Sequence, residues 1–523
     1  MRYSRQNPDE KSFFIDTHAH LDFPQFDGDR NEVIERAESF GVVRIVNPGV
    51  DIESSQRAIT LSENYYHVFA AVGIHPHESA NLPDDWLERL EHLACHPKVV
   101  AIGEIGLDFY RDLSPRDTQK RVFSAQIELA KRLSLPMILH IRNAHNHVKK
   151  ILEEHGYFKG VMHAYSGDER FLSWALDKGF YIGFGGPITF KNYKKHYLVR
   201  MTPLERILSE TDCPYLSPHP YRGKRNEPAR IPLIVEKIAE VCGKTLSETA
   251  HAVAKNAEKL FGIPAPAKAK SVKSLGQNFL VNPKIADRIA NLSGEGELCI
   301  EIGPGKGILT ERLVNRFSRV IALELDEYFV KLLWGKFENL FVVHMDFLRA
   351  DISRISRFYG TKAIVVGNIP YSVTSPILFH ILAHRTAIKE ALLMVQREVA
   401  ERLLASPGSK TYGIPTVILG RYFTIKRCFN VSPANFSPQP EVTSTVIKLI
   451  PRKEPLCPDI DDELFSKVVH KAFAHRRKTL ANNLKESFPE IYESLLGEYA
   501  GLRAEQLNII DFCEICKKLR NFS

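Results

Sequence analysis

Gly262-Ile263-Pro264-Ala265-Pro266-Ala267-Lys268-Ala269-Lys270-Ser271-Val272 divides this chain. Two prolines, small residues and lysines, with no periodic large apolar side chain, describe a linker rather than a helix or strand. The 523 residues around it are too many for one hydrophobic core. Four parts are expected: a domain over 1–263, the linker over 264–272, a domain over 273–457 and a mainly helical tail over 458–523. The two sides differ in charge. From Pro266 to Ser523 there are 36 Lys and Arg against 27 Asp and Glu, a balance of +9, whereas residues 1–265 carry 34 against 35, a balance of −1. The basic excess of the second side points to a polyanion partner, most plausibly RNA; a mildly basic enzyme without one is the alternative.

Upstream of the linker, short apolar runs alternate with helical patterns. Strands are expected at Phe13–Asp16, Val42–Asn47, Val68–Gly73, Val99–Gly106, Met137–His140, Gly160–His163, Gly179–Gly183 and Arg206–Thr211, with helices between them such as Asp117–Leu133. Eight β-then-α units in about 200 residues suggest a (β/α)8 barrel. Downstream, the alternation restarts at Leu298 and gives way to helix from about Pro458. The whole chain reads as α/β. Its first residues, Met1-Arg2-Tyr3-Ser4-Arg5-Gln6, contain no apolar signal core. No uncharged apolar run reaches the roughly 18 residues a membrane helix needs, so no membrane partner and a cytoplasmic location are expected. The eight cysteines are scattered apart from Cys513 and Cys516, a lone CxxC with no second pair for zinc, read here as reduced, packed thiols.

His18 and His20 follow the first strand in Ile15-Asp16-Thr17-His18-Ala19-His20-Leu21-Asp22. A spacing of two turns both imidazoles to one side of an extended segment. Glu104 ends the fourth strand, His140 the fifth and His163 the sixth, and Asp212 follows the eighth. All six fall at carboxyl ends of strands, which converge on one face of a barrel. Imidazoles with carboxylates suit zinc, manganese, iron or cobalt, with magnesium a further candidate. Six ligands exceed the needs of one tetrahedral ion, so two divalent ions are expected, with Glu104 able to bridge them. Such a pair activates water and holds both oxygens of a phosphoester under attack. His75 and His77, in Gly73-Ile74-His75-Pro76-His77-Glu78, end the third strand and are expected to line the mouth without ligating. The loop Tyr221-Arg222-Gly223-Lys224-Arg225 offers three cations for substrate phosphates or, equally, a solvated charge run.

Over residues 13–263 the chain resembles the TatD family of metal-dependent hydrolases. The matching stretches are Ile15–Asp22, Ala101–Tyr110, Leu135–Arg142, Gly160–Gly167, Glu210–Leu216, Arg222–Pro228 and Asn256–Phe261. The resemblance implies a two-metal TIM barrel that hydrolyses phosphodiesters of DNA or RNA. His18, His20, Glu104, His140, His163 and Asp212 would be the ligands, and Asp212 would also orient the water. Where the family often has His-Ser-Arg-Asp-Ala, this chain has His140-Ile141-Arg142-Asn143-Ala144. No ligand is lost by that departure.

In the second half, Glu301-Ile302-Gly303-Pro304-Gly305-Lys306-Gly307 follows a strand at Leu298–Ile302 and opens a helix near Ile308. The third glycine comes one residue too early for a dinucleotide fingerprint. Glu324 ends the next strand, where a carboxylate accepts ribose hydroxyls, and Asp346 ends the third, where one can bond an adenine amino group. Nothing resembles a pyrophosphate clamp, so a nucleoside without phosphate, such as S-adenosylmethionine, fits better. The fourth strand, Ala363–Val366, runs into Asn368-Ile369-Pro370-Tyr371. An adenine amino nitrogen is a poor nucleophile because its lone pair is delocalised. Accepting both its hydrogens, on the Asn368 side chain and the Ile369 carbonyl, favours a pyramidal nitrogen and frees the pair. Tyr371 can stack on the base and Phe436 can cover its other face.

Over about residues 272–522 the order of motifs resembles the KsgA/RsmA family of rRNA adenine dimethyltransferases. It is carried by Ser274-Leu275-Gly276-Gln277-Asn278-Phe279-Leu280, Glu301–Gly307, Asn368–Tyr371, Gln396–Arg402, Pro433–Phe436 and Ala474–Leu480. The resemblance implies a Rossmann-like class I methyltransferase fold with a small helical C-terminal subdomain. It also implies donor contacts from Asn278, Leu280, Gly303, Glu324, Asp346 and Asn368. The implied reaction is N6-dimethylation of two adjacent adenosines in the 3′-terminal hairpin loop of 16S rRNA, on a precursor of the 30S subunit. Arg476-Arg477-Lys478 would grip rRNA phosphates. Related erythromycin-resistance methyltransferases share Asn-Ile-Pro-Tyr, and many KsgA-like members have Leu where Ile369 stands. Pro407-Gly408-Ser409-Lys410 and Tyr412-Gly413 favour KsgA. A bifunctional enzyme is therefore expected. The rival is a ribosome-assembly binding module attached to an accessory or inactive hydrolase scaffold.

Overall fold

The computed structural model describes residues 12–264, 278–485, 488 and 496–520. The expected linker beyond Pro264, the motif residues Ser274–Gln277 and the last three residues lie outside them. The described residues form two compact units, 12–264 and, apart from Val343–Met345, 278–520.

The first unit holds eight parallel strands in sequential order: β1 (Phe14–Asp16), β2 (Val42–Pro48), β3 (Val68–Val72), β4 (Val99–Asp108), β5 (Met137–Arg142), β6 (Gly160–Met162), β7 (Tyr181–Phe184) and β8 (Ile207–Ser209). Most of these residues are buried, as expected of parallel strands covered on both faces. The sheet closes on itself. Thr17 N–H and its hydroxyl both donate to Ser209 O (3.1 and 3.0 Å), and the Ser209 hydroxyl donates to Ile15 O (3.0 Å). Inside, Ile15, Val46, Phe69, Ala101, Ile138, Val161 and Leu208 form one cluster with Ala254, Ala257, Leu260 and Phe261 of the last helix of the unit, Leu246–Phe261. Side chains rather than a channel fill the barrel. That last helix begins with a Thr245/Glu248 capping box, which satisfies its first free amides.

The second unit contains β9 (Phe279–Leu280), β10 (Gly296–Ile302), β11 (Phe317–Glu324), β12 (Leu340–His344), β13 (Ala363–Asn368), β14 (Ile388–Gln396), β15 (Phe423–Val431), β16 (Phe436–Ser437) and β17 (Ser444–Pro451). Seven of them form one sheet in the order β12-β11-β10-β13-β14-β17-β15. β10 is flanked by β11 and β13, all parallel, so the order reverses at β10. Ligands of open α/β sheets bind at such a reversal, at the carboxyl ends of the strands. β17 inserts antiparallel between β14 and β15. β9 and β16 form a separate antiparallel ribbon, with Leu280 opposite Phe436. Beyond β17, helices Asp462–Ala472 and Ile509–Arg520 share a core that includes Phe465, Val469, Phe512, Cys513 and Cys516. Both thiols are free and buried, and all eight cysteines are unpaired.

Candidate functional sites

In the barrel, strand ends aim six side chains at one point. His18 Nε2 and His20 Nε2 lie 3.1 Å apart. Glu104 Oε2 is 3.3 Å from the first and 3.5 Å from the second. Its other oxygen, Oε1, is 2.8 Å from His140 Nδ1 and 3.9 Å from His163 Nε2. Asp212 Oδ1 is 3.7–3.9 Å from His18, His20 and His163. Ligands roughly 2.0–2.1 Å from a tetrahedral ion stand about 3.3 Å from each other, so these spacings fit shared cations. Three overlapping groups of suitable atoms exist among the described residues: His18, His163 and Asp212; His18, His20 and Glu104; and His75, Glu104 and His140.

The last group differs from the sequence reading. His75 does not simply line the mouth: its Nε2 is 3.7 Å from Glu104 Oε1, and its ring is edge-on to His140 with centroids 4.4 Å apart. The turn after β3 carries it inward, where it is buried. The cationic loop differs too. Arg225 is held by both oxygens of Asp29 (2.8 and 2.6 Å) and Arg222 lies over the Phe190 ring at 4.6 Å. Arg225 is thus neutralised by a structural pair and is a poor phosphate clamp.

Around the six sit carboxylates the sequence reading passed over. Asp108 Oδ2 is 3.3 Å from His140 Nε2 and 2.8 Å from His77 Nε2, while its Oδ1 accepts the Tyr110 and Arg111 amides. Glu210 Oε2 is 3.1 Å from His163 Nδ1 and Oε1 accepts from Ala164 N–H at 2.5 Å. Asp16 takes the Thr211 hydroxyl and amide at 2.5 and 3.0 Å, tying β1 to the turn that carries Asp212. A signal existed. Glu104 and Asp108, and Glu210 and Asp212, are spaced by even numbers, which places each pair on one face of an extended chain.

Electrostatics match a cation site. Burial opposes ionisation of Glu104, yet the imidazoles of His18, His75 and His140 hold its carboxyl well below the usual range. Burial also opposes protonation of His163, but Glu210, Glu104 and Asp212 hold its pKa up to about 10. His140 is held up to about 8 against burial by Asp108 and Glu104. His18 and His75 are pushed down by burial and by their imidazole neighbours. The buried carboxylates therefore call for positive charge at their centre.

In the second unit, Leu280, Glu301, Gly303, Ile308, Asn368 and Met394 line one cavity at the carboxyl end of β10. Gly303, Gly305 and Gly307 all have positive φ (57°, 53° and 84°), which only glycine adopts freely. A Cβ on Gly305 would also stand 2.9 Å from the Phe279 ring. Glu324 Oε2 accepts the Gly305 amide at 3.0 Å, and Oε1 accepts those of Leu325 and Asp326 at 2.8 Å each. The side-chain amide nitrogen of Asn368 donates to Asn278 O at 2.9 Å. That bond commits the nitrogen and leaves Oδ1 as the free acceptor. Asn278, Leu280, Gly303, Glu324 and Asn368 are thus brought together.

The remaining expected residues are less direct. Asp346 uses Oδ1 to accept the Leu348 amide at 3.0 Å, capping the turn Phe347–Arg349. The Tyr371 hydroxyl is 3.0 Å from Ser444 Oγ, which anchors the ring at its far end. Phe436 is buried, opposite Leu280 in the β9–β16 ribbon, rather than standing open beside the cavity. Arg476 is paired with Glu505 at 2.8 Å, whereas Arg477 and Lys478 are exposed without an ion-pair partner among the described residues. This basic run occupies a turn between helices, not a helix face.

Glu301 lines the cavity, and its Oε2 has no hydrogen-bond partner among the described residues. Burial pushes its carboxyl up to about 8, with Glu324 adding repulsion against a lowering contact from Thr310. An unfolded glutamate ionises near 4.5. Between those values the folded chain binds a proton that the unfolded chain has released. Stability from this group is therefore full below about pH 4.5 and is lost as pH rises through 8. The urea midpoint of the second unit should fall between pH 6 and pH 8, by about 1.4 kcal/mol of stability per pH unit at most. Glu301→Gln should flatten that fall.

Comparison with known proteins separates the halves. Residues 15–262 match the family described as TatD related DNase, and residues 268–520 the family described as ribosomal RNA adenine dimethylase. An uncharacterized metal-dependent hydrolase of Bacillus subtilis (strain 168), YabD, is 46% identical over 252 residues, 48% of this chain and 99% of its own. A ribosomal RNA small subunit methyltransferase A of Syntrophus aciditrophicus (strain SB) is 43% identical over 264 residues, 48% of this chain and 94% of its own. Among solved structures, YJJV, a TatD homolog from Escherichia coli k12, is 35% identical, covers 48% of this chain and 98% of its own, and has a TM-score of 0.46.

Proposed function

The chain belongs to the TatD related DNase family through its first unit and to the ribosomal RNA adenine dimethylase family through its second, and on that premise we propose two reactions. The second unit dimethylates N6 of two adjacent adenosines in the 3′-terminal hairpin loop of 16S rRNA. The first hydrolyses phosphodiesters of a nucleic acid with two divalent ions.

For methyl transfer, the supporting observation is the Asn368 amide. Its nitrogen is bonded to Asn278 O, so Oδ1 is held ready to accept a hydrogen of the adenine amino group. With the Ile369 carbonyl taking the other, the nitrogen lone pair leaves conjugation with the ring. S-adenosylmethionine, when bound, supplies an electrophilic methyl carbon. Leu280, Glu301 and Gly303 shape its cavity, Glu324 holds the glycine-rich loop and takes the ribose, and Asp346 takes the adenine of the donor. Tyr371, pinned by Ser444, stacks on the acceptor base, and Phe436 would cover the other face. Arg477 and Lys478 bind rRNA phosphates.

For hydrolysis, the supporting observation is the sharing of one carboxylate, Glu104, by His18 and His20 on one oxygen and by His140, His75 and His163 on the other. Those residues with Asp212 would hold two ions, from among zinc, magnesium, manganese, iron and cobalt. Bound divalent ions activate water and polarise a phosphoryl oxygen. Asp212, partly exposed where His18, His20, Glu104 and His163 are buried, orients the attacking water and accepts its proton. Asp108 and Glu210 fix the rings of His140 and His163 from behind.

The test is primer extension on small-subunit rRNA from cells lacking this protein. Two adjacent dimethyladenine stops should vanish and return with the intact gene. Stops that persist in the deletion would remove the methyltransferase assignment. In parallel, purified protein should cleave a DNA or RNA strand only with added divalent ions, and a chelator should stop it.

A further inference from the structure

We propose that Tyr110, backed by Arg142, is a stacking platform for a nucleobase beside the metal cluster of the barrel. This rests on the reading of the barrel as a phosphodiesterase and deepens it, because it requires a base-bearing substrate rather than any phosphodiester. Tyr110 is 61% exposed, and a single exposed aromatic needs no explanation by itself. Three further observations set this one apart.

The Arg142 guanidinium lies over its ring, 4.0 Å from the centroid. Arg142 has no carboxylate partner among the described residues. Its charge therefore polarises one face of the ring and remains available to a phosphate. The position is tied to the ligands. Asp108 faces Arg142 across the β4–β5 register, and the pair Gly106–His140 lies two residues before it. Asp108 contacts the His140 ring with Oδ2 and accepts the Tyr110 amide at 2.9 Å with Oδ1. One carboxylate thus sets both the imidazole and the turn that presents the tyrosine. The ring also has no aromatic neighbour among the described residues, unlike the exposed Tyr215, which meets Phe23 edge-on at 6.4 Å. An aromatic ring with a cation behind it and solvent before it recognises a flat π face, and a nucleobase next to the scissile phosphate supplies one.

The test compares two esters with the same leaving group: the p-nitrophenyl ester of thymidine 5′-monophosphate and methyl p-nitrophenyl phosphate. With divalent ions added, the intact protein should prefer the nucleotide ester by about 5- to 150-fold in kcat/KM, the range given by base–aromatic stacking. Tyr110→Ala should bring that ratio close to one. Tyr110→Phe should keep it, and Arg142→Ala should lower it partway. A ratio unchanged in Tyr110→Ala overturns the platform while leaving the phosphodiesterase intact. If the intact protein hydrolyses neither ester, the phosphodiesterase reading fails instead. Calorimetric binding of thymidine 5′-monophosphate against deoxyribose 5-phosphate then still decides the platform. Equal affinities, or a nucleotide affinity indifferent to Tyr110→Ala, overturn it.

Discussion

Glu104→Ala should abolish metal-dependent hydrolysis by this protein, lowering kcat/KM by about 10^3-fold or more, while methyl transfer by the second unit continues. Its two oxygens reach five imidazoles between them, at 2.8 to 3.9 Å. Asp212, the next most central carboxylate, reaches only His18, His20 and His163, at 3.7–3.9 Å and through one oxygen. Removing it leaves buried imidazoles with less negative charge among them, so their affinity for divalent ions falls along with the geometry that two ions require. Losing groups that merely orient a ligand typically costs about 10- to 100-fold, and losing a shared ligand costs more. The protein dialysed against metal-free buffer and reloaded should retain fewer ions per chain as Glu104→Ala than as the parent. Full metal content together with full activity in the variant would take Glu104 out of the centre. Glu104→Gln keeps the shape without the charge, so it separates loss of coordination from collapse of the cluster.

Asn368→Ala should lower the rate of methyl transfer by about 10^2- to 10^3-fold, the size of effect seen when one preorganised polar group is removed from a reacting centre. The loss should fall on kcat, since Leu280, Glu301 and Gly303 still line the donor cavity. Asn368→Asp should be almost as poor. A carboxylate cannot donate to Asn278 O, and two oxygens facing each other would repel where a 2.9 Å hydrogen bond now holds. The assay is transfer of labelled methyl to small-subunit particles from cells lacking the protein. The same variant addresses the binding-module alternative in cells. If ribosome maturation proceeds normally with Asn368→Ala while the deletion impairs it, the second unit serves assembly chiefly as a binder.

Several features of both sites were legible along the chain. The eight barrel strands lie within a few residues of the expected runs, because parallel strands buried on both faces read as continuous β-branched and aliphatic segments. The glycine-rich loop was legible because three positive φ values demand glycine wherever the rest of the chain folds. His75 was not, because its path is set by the turn after β3, and nothing in its immediate sequence says whether that turn bends inward. Arg225 was misleading for a related reason: the Asp29 that neutralises it lies almost 200 residues away and meets it only when β8 closes on β1.

Local pattern settled what each segment of this protein is, since strand, helix, loop and ligand chemistry depend on residue type and period over a few positions. Only the folded chain decided which polar groups spend their charge on each other and which stay available. Asp108 bonded to His140, Asn368 to Asn278 and Arg225 to Asp29 are contacts between residues distant in order. Electrostatic and hydrogen-bond energies fall off over a few ångströms of space, not along the sequence, so a lone sequence position carries no record of them.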